Sequence, residues 1–405
     1  MTDFKFRHWY GPTELTAGPG CVKDLERGVR ESGGSQALVV AGRSVSKQPA
    51  VMDPVRDGLG DAFGGMFTEV TADKSYESVR SAAKRVLDDD LDAVVGLGGG
   101  GCMDAARAVS VVASHFEADP QSLFAGIDDQ GDLTLSELSN TPLPVVEIPT
   151  TLSGAEVTCA AGMNVADPDG GNIVRSAPII HPNIWPNEIF YDPTLAVETP
   201  DRVLATSAMN GFDHGIEMLY SRNAIPMTDA TAAHGVRLLS RSLPQLGEST
   251  DNEDAMGEAM TGVSLATTGL IDPTSGPKYS IIHAFGHQLA QQCGIQQGLA
   301  HGVMAPEVLA FIFETVPGRR ELLADVLGVG AVGSEAETGD AIVEAVREIR
   351  DGLGLPGRLR DLDAVSREEF DALGTAIASD IGLQFAPDGL DLSPESLARV
   401  LERAW

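Results

Sequence analysis

The sequence predicts an α/β half followed by an all-α half, and three observations predict it. Up to about residue 192, short apolar runs that end in glycine alternate with segments of helical periodicity. One of those runs leads straight into the glycines at 98–101. From Pro193 onward, apolar residues recur at three- and four-residue spacing over long stretches. With 405 residues, 43% of them hydrophobic, the chain is long enough to bury two sizeable cores.

In order along the chain, "ALVVAG" (37–42) reads as a strand, "SYESVRSAAKRVLDDD" as a helix, "LDAVVGLGGGG" as a buried strand running into glycines, and "LPVVEIPTT" as a further strand. Strand, helix, strand with glycine-rich exits implies a parallel sheet that binds ligands at the carboxyl ends of its strands. The helical segments of the second half are "PDRVLATSAMNGFDHGIEMLYS", "MTDATAAHGVRLLSRSLPQL", "YSIIHAFGHQLAQQC" and "GDAIVEAVREIRDGLGL". The expected domains are therefore 1–192, α/β, and 193–405, all-helical. No repeat or low-complexity linker separates them, and a cleft between the halves is the expected active site.

Charge narrows the partners. Against 28 Lys and Arg stand 59 Asp and Glu, a formal net charge of -31, and only six residues are Lys. Nucleic acid and anionic membrane need clustered positive charge, so neither is an expected partner. An evenly acidic, lysine-poor surface is what a halophilic protein at multimolar salt carries, where screening keeps self-repulsion small. The start "MTDFKFRHWYG" lacks a signal-peptide pattern and no apolar stretch is long enough to span a bilayer, so a cytoplasmic protein is expected. Cys21, Cys102, Cys159 and Cys293 are far apart with no C-x-x-C pair, and reduced, packed thiols are expected.

Three motifs carry chemistry. In "GLGGGGCMDAARAVS", Gly98, Gly99, Gly100 and Gly101 would let backbone approach a pyrophosphate at the start of a helix. The plain alternative is a tight strand-to-helix turn. Asp104 in that first turn either favours the helix dipole or hydrogen-bonds part of a cofactor. The loop "IPTTLSGAEVT" offers Thr150, Thr151 and Ser153 to a phosphate or nicotinamide, though Thr and Ser are also ordinary turn residues. In the helical half, Asn210 and His214 are four apart, as are His283 and His287, with His301 further on. Four-residue spacing puts each pair on one helical face, where function and packing are both open readings. His8, His115, His181 and His234 have no such context and are read as structural or surface residues.

Over essentially its whole length the chain resembles the iron-containing (group III) alcohol dehydrogenase superfamily, which implies a dehydroquinate synthase-like fold and a homodimer acting on a small molecule. That family binds its dinucleotide with G-G-G-S-x-x-D-x-A-K, matched here by "GGGGCMDAAR", with Gly101 for the Ser and Arg107 for the Lys. Its metal ligands, Asp-x3-His, the first His of H-x3-H and a His fourteen residues on, fall on Asn210, His214, His283 and Gln297. Two of the four are amides, poor ligands for iron or zinc, so the resemblance implies a vestigial site that holds no metal. His287 matches the family's proton carrier. Gly42 stands where NAD-selective members have an Asp, followed by Arg43 and Ser44, which leaves room for NADP as well as NAD.

"TTLSGAE" has the shorter spacing of maleylacetate reductases, and those enzymes also carry Asn in place of the metal-binding Asp, which makes that branch the nearest; Gln297 departs from it. The expected enzyme is an NAD(P)H-dependent oxidoreductase delivering hydride to a conjugated keto acid without a metal, with His287, His283, His214 and Asn210 as its catalytic set. A group III alcohol dehydrogenase with a weakly held metal is the alternative, and a catalytically inactive nucleotide-binding protein the third reading. Lys278 is either a surface lysine or, for a dicarboxylate substrate, the residue that binds a carboxylate.

Overall fold

The computed structural model describes residues 7–8, 11–70, 74–127, 133–166, 174–330 and 332–405. Most of the N-terminal stretch quoted above, and most of the acidic run after Gly126, lie outside the described residues. The chain divides into two compact units, Trp9–Thr199 and Pro200–Trp405 with Met1–His8.

The first unit is built on six parallel strands: β1 (Glu14–Ala17), β2 (Ala37–Ala41), β3 (Phe63–Phe67), β4 (Ala93–Gly98), β5 (Val145–Pro149) and β6 (Glu188–Tyr191), in the order β1-β6-β5-β4-β2-β3. Parallel strands need crossovers, and helices α1 (Leu25–Glu31), α2 (Pro49–Leu59), α3 (Tyr76–Asp88) and α4 (Gly100–Ser114) supply them. Alternation along β2 sorts the two faces. Ala37, Val39 and Ala41 pack with Val29 of α1 and Val55 of α2, whereas Leu38 and Val40 pack with Val79 of α3 and Val109 of α4. A sheet covered on both faces explains why β2, β4 and β5 read as continuous apolar runs.

This unit ends seven residues later than the expected boundary. The short helix α5 (Pro193–Ala196) belongs to it because Leu195 sits in the core with Val146 and Phe190, and Thr199 Oγ1 donates to the carbonyl of Thr150 at 2.7 Å.

The second unit consists mainly of α6 (Asp201–Tyr220), α7 (Pro226–Glu248), α8 (Glu253–Thr267), α9 (Ile281–Cys293), α10 (Gln297–Thr315), α11 (Arg320–Val326), α12 (Glu335–Gly352), α13 (Phe370–Ala378) and α14 (Pro394–Ala404). α6 is buried along most of its length and is the central helix. Glycine lets α10 meet it closely: a Cβ on Gly298 would stand 2.0 Å from the carbonyl oxygen of Thr206. One feature departs from an all-helical unit, the small antiparallel hairpin Ile271–Asp272 with Gly276–Pro277. Asp272 organises its turn by accepting from Thr274 and Ser275 and pairs with His8 at 2.7 Å, which ties residue 8 to this unit. Among the described residues no helix is long and apolar enough to cross a membrane. Cys21, Cys102 and Cys159 are buried, and Cys293 is half-buried.

Candidate active site

β4 ends at Gly98, whose φ of 125° only glycine adopts readily, and Gly99 then caps α4. The glycines also admit the second loop. A Cβ on Gly100 would lie 2.7 Å from Ser153 Oγ, and one on Gly99 would lie 3.3 Å from Thr151 Cγ2. Thr150 is fixed by its N–H, which donates to the carbonyl of Gly98 at 2.9 Å. The structure thus brings together Gly98 to Gly101, Thr150, Thr151 and Ser153 around the start of α4, where the N–H groups of Gly100 and Gly101 precede the first helical bond, from Cys102 to the carbonyl of Gly99. The Thr151 hydroxyl is buried and has no hydrogen-bond partner among the described residues. Such a cradle fits a dinucleotide phosphate. Gly42 lies against Cys102, while Arg43 and Ser44 are exposed.

Asp104 does more than favour a helix dipole. One of its oxygens accepts from Arg107 Nη2 and the other from Lys74 Nζ, both at 2.8 Å. Arg107 is wholly buried and also holds both oxygens of Glu147, at 3.0 and 3.1 Å. Burial pushes the Glu147 carboxyl well up, and Arg107 beside it pulls the other way. Glu156 is likewise pushed up by burial and accepts from the Tyr191 hydroxyl at 2.8 Å. Arg107 therefore positions Asp104 from inside the unit. Sequence reasoning missed Lys74, which follows no periodicity.

The helical unit gathers the histidines. Asn210 Nδ2 lies 3.3 Å from His214 Nε2, and His214 Nδ1 lies 3.1 Å from Thr267 Oγ1. The His214 ring stacks on that of His283, with centroids 5.0 Å apart. His283 in turn meets His301 edge-on at 4.4 Å, and Gln297 Nε2 is 3.4 Å from His301 Nε2. All four positions of the family's metal site are thus in one cluster, together with His301. Room for that ring comes from Gly286, where a Cβ would stand 2.3 Å from His301 Nε2. Burial holds both His214 and His301 well below the usual imidazole range, and the neighbouring histidines add to the effect. Asp213, fully buried, is pushed well up by burial; its Oδ2 is 3.5 Å from His301 Nδ1.

Two of the four family ligand positions, Asn210 and Gln297, carry neutral amides, which are weaker donors to a transition metal than carboxylate and imidazole. In the assigned amide orientation each amide gives an N–H to the imidazole one turn along its helix, which occupies the nitrogen lone pair a cation would take. Among the described residues no three His, Cys, Asp or Glu side chains converge as a cation site.

Glu217, also missed, organises the cluster. Its Oε1 accepts from the Tyr220 hydroxyl (2.9 Å) and the N–H groups of Ile282 (2.6 Å) and His283 (3.3 Å). Its Oε2 accepts from the N–H of Ser280 at 2.8 Å and from His283 Nδ1. The carboxylate thereby caps the start of α9 and fixes the His283 tautomer with its proton on Nδ1. Its signal was present in the sequence, since 210, 214 and 217 follow the i, i+4, i+7 spacing of one helical face.

His287 is part exposed, and its Nδ1 lies 3.2 Å from Asp380 Oδ2. Burial raises the Asp380 carboxyl, but bonds from His287, Gln288 and the N–H of Gly382 outweigh it and hold it below the usual range. Tyr279 lays its ring beside both histidines of α9, with centroids 5.8 Å from His283 and 6.1 Å from His287.

Lys278 departs from both expectations. It is fully buried, and its Nζ donates to the carbonyls of Gly269 (3.1 Å) and Gly276 (3.0 Å) and to Ser275 Oγ (2.8 Å). Burial pushes its ammonium down to about 8, against the pull of Asp272 and Asp229. All three protons are committed to the hairpin, so none is left for a substrate carboxylate. His8, His115 and His181 are, as expected, structural: His115 bridges Val111 and Asn140, and His181 caps the turn at Asn183.

Comparison with known proteins agrees with this arrangement. The NAD-dependent methanol dehydrogenase of Bacillus methanolicus is 26% identical over 96% of each chain, and the maleylacetate reductase of a Rhizobium species 25% identical over 91% of this chain and 90% of its own. The crystal structure of 1,3-propanediol oxidoreductase superposes with a TM-score of 0.86 at 24% identity, covering 99% of this chain and 100% of that one. Residues 12–193 match the iron-containing alcohol dehydrogenase family and residues 204–405 the C-terminal region of the Fe-containing alcohol dehydrogenase family. The chain therefore belongs to the iron-containing alcohol dehydrogenase family and is an NAD(P)-dependent oxidoreductase.

Proposed function

We propose that this enzyme reduces an activated carbonyl compound, a conjugated keto acid of the maleylacetate type, without a metal ion, and accepts NADPH at least as well as NADH. The observation that carries the reading is the pair of amides, Asn210 and Gln297, each engaged with the imidazole one turn on. A metal would act as a Lewis acid on the substrate oxygen. Here that work falls to hydrogen bonds, which suffice where conjugation already lowers the barrier and a simple alcohol would gain less.

When bound, a reduced nicotinamide would supply a hydride to the carbon conjugated with the ketone. Negative charge then grows on the ketone oxygen. His283, held by Glu217 with its proton on Nδ1, presents Nε2 as its free nitrogen; in the protonated form it donates there, and the nearby carboxylate stabilises that charge. Asn210 and His214 complete the polar lining. His287, part exposed and backed by Asp380, returns a proton to the product and exchanges it with solvent. Overall, one hydride and one proton are added across the double bond.

Cofactor preference is argued from Gly42, which has no carboxylate to repel a 2'-phosphate, next to the exposed Arg43. The 25% identity to a maleylacetate reductase supports the substrate class. The test is reduction of maleylacetate and of simple aldehydes by protein exhaustively treated with chelator. Activity on maleylacetate should survive chelation and not rise with added Fe(II) or Zn(II). Protein that carries one tightly held transition metal per chain, loses activity with it and prefers aldehydes would establish the metal-dependent alcohol dehydrogenase reading instead.

A further inference from the structure

Lys74 is one of six lysines in a chain of net charge -31, and it stands beside the glycine loop. Its stem runs along Gly101, where a Cβ would lie 3.8 Å from its Cγ and Cδ. Gly162 closes the other side, since a Cβ there would be 3.0 Å from the ammonium nitrogen. Among the described residues Asp104 is the one hydrogen-bond partner of that ammonium, so two of its three protons remain.

Three features surround the start of α4. They are the Lys74 ammonium, the N–H groups of Gly100 and Gly101, and the hydroxyl of Thr151, a residue 8% exposed, which has no hydrogen-bond partner among the described residues and would lie 3.7 Å from a Cβ on Gly99. The local charge is also favourable. Asp104 is matched by two cations, Lys74 and Arg107, and Arg107 shares its charge with Glu147, whose own carboxyl burial drives toward neutrality. Arg107, however, is sealed inside and cannot touch a ligand, whereas the Lys74 side chain is 31% exposed.

We infer that Lys74 binds the pyrophosphate of the dinucleotide at the N-terminus of α4, keeping one proton on Asp104 and giving the others to phosphate oxygens. This rests on the dinucleotide reading of the glycine loop. Lys74 is a binding residue there, and it supplies the accessible positive charge that buried Arg107 does not.

The test is calorimetric titration of the full chain with ADP, which has the pyrophosphate but no nicotinamide, and with NADH. Lys74→Asn removes the charge and tolerates the left-handed backbone at this position, where φ is 52°. The Asn variant should bind both ligands about 10- to 100-fold more weakly at low salt, the size of one charge-assisted hydrogen bond, and Lys74→Arg should recover most of the loss. The gap between wild type and the Asn variant should narrow at high salt. Unchanged ADP affinity in the Asn variant overturns the inference and leaves the glycine-loop reading standing, as does an Arg variant as weak as the Asn variant. Wild-type protein that binds neither ADP nor NADH overturns both. Circular dichroism of each variant establishes that the comparison is between folded proteins.

Discussion

Replacing Glu217 by Gln should disable the chemistry while leaving cofactor binding intact. Five donors converge on that carboxylate: the Tyr220 hydroxyl, His283 Nδ1 and the N–H groups of Ser280, Ile282 and His283. A Gln can keep its carbonyl where Oε1 is, satisfying Ile282, Tyr220 and the backbone of His283. Its amide then points at two donors. The N–H of Ser280 is left without an acceptor in a buried site, which costs about 1–3 kcal/mol, and a charge-assisted bond worth about 1.5–3 kcal/mol is lost. The sum is about 2.5–6 kcal/mol of stability, or less where water enters. His283 must move its proton to Nε2 so that Nδ1 can accept from the amide, and the imidazolium loses its counter-charge. The best-reduced member of a carbonyl panel should then show kcat lowered by about 10²- to 10⁴-fold, while the Kd for NADH, read by fluorescence, stays within a few-fold. A variant that melts earlier yet turns over normally would make Glu217 a helix cap and nothing more. Normal melting and normal turnover together would refute the bonding geometry itself.

Other substitutions separate neighbouring claims. Gly42→Asp should shift preference toward NADH by about tenfold in kcat/KM, because a Cβ there meets only Cys102 Sγ at an ordinary 3.6 Å and the new carboxylate repels a 2'-phosphate; a wild-type preference for NADH of about a hundredfold would remove the premise. Lys278→Ala should raise KM for acidic and neutral substrates alike, or neither, while costing about 2–4 kcal/mol of stability, since the carbonyls of Gly269 and Gly276 lose their donor. A selective rise for acidic substrates would return Lys278 to the substrate. In acid, Asp272 should matter: burial raises its carboxyl, but bonds from Thr274, His8 and Ser275 outweigh this and lower it from 3.8 to about 2. A depressed carboxylate contributes stability that is present above the unfolded value and lost as pH falls toward the folded one, here about 2 kcal/mol between pH 4 and pH 2. Asp272→Asn should flatten the stability profile across that window, and an unchanged slope would contradict the bonding.

What could be read from the sequence follows from what each residue's environment leaves in the pattern. β2, β4 and β5 are buried on both faces, so they appear as apolar runs, and the helices of the second unit appear through their periodicity. β1 does not, because three of the four residues in "ELTA" on this edge strand are exposed, and β3 hides two glycines in its middle. Spacing along one helix found Asn210 with His214 and His283 with His287, and the same spacing would have reached Glu217. Lys74 and Asp380 are brought to their sites by loops, and no local rule predicts where a loop delivers a side chain. Lys278 shows a further limit. A lysine at the entrance to a catalytic helix has the same sequence signature whether its ammonium faces substrate or three buried acceptors.

The histidine cluster also bears on how an amide set can stand where a metal set is expected. Asn210 and Gln297 each lie one turn before an imidazole on the same helix, so the two positions on α6 and α10 repeat one arrangement, amide donating to His, with His283 in contact with both rings. An Asp at 210 and a His at 297 would reverse that hydrogen-bonding sense, because a carboxylate accepts where the amide donates and a second imidazole competes for the same space as the first. Helix spacing itself is set by backbone approaches such as that of Gly298 against the carbonyl of Thr206. The double substitution Asn210→Asp with Gln297→His therefore changes the donor set without moving the helices, and it should create stoichiometric Zn(II) binding that neither single substitution gives, measurable by metal analysis after dialysis. Stoichiometric metal in the wild type as well as in the double variant would mean that the amides never excluded the ion, and a double variant without metal would refute the retained ligand geometry.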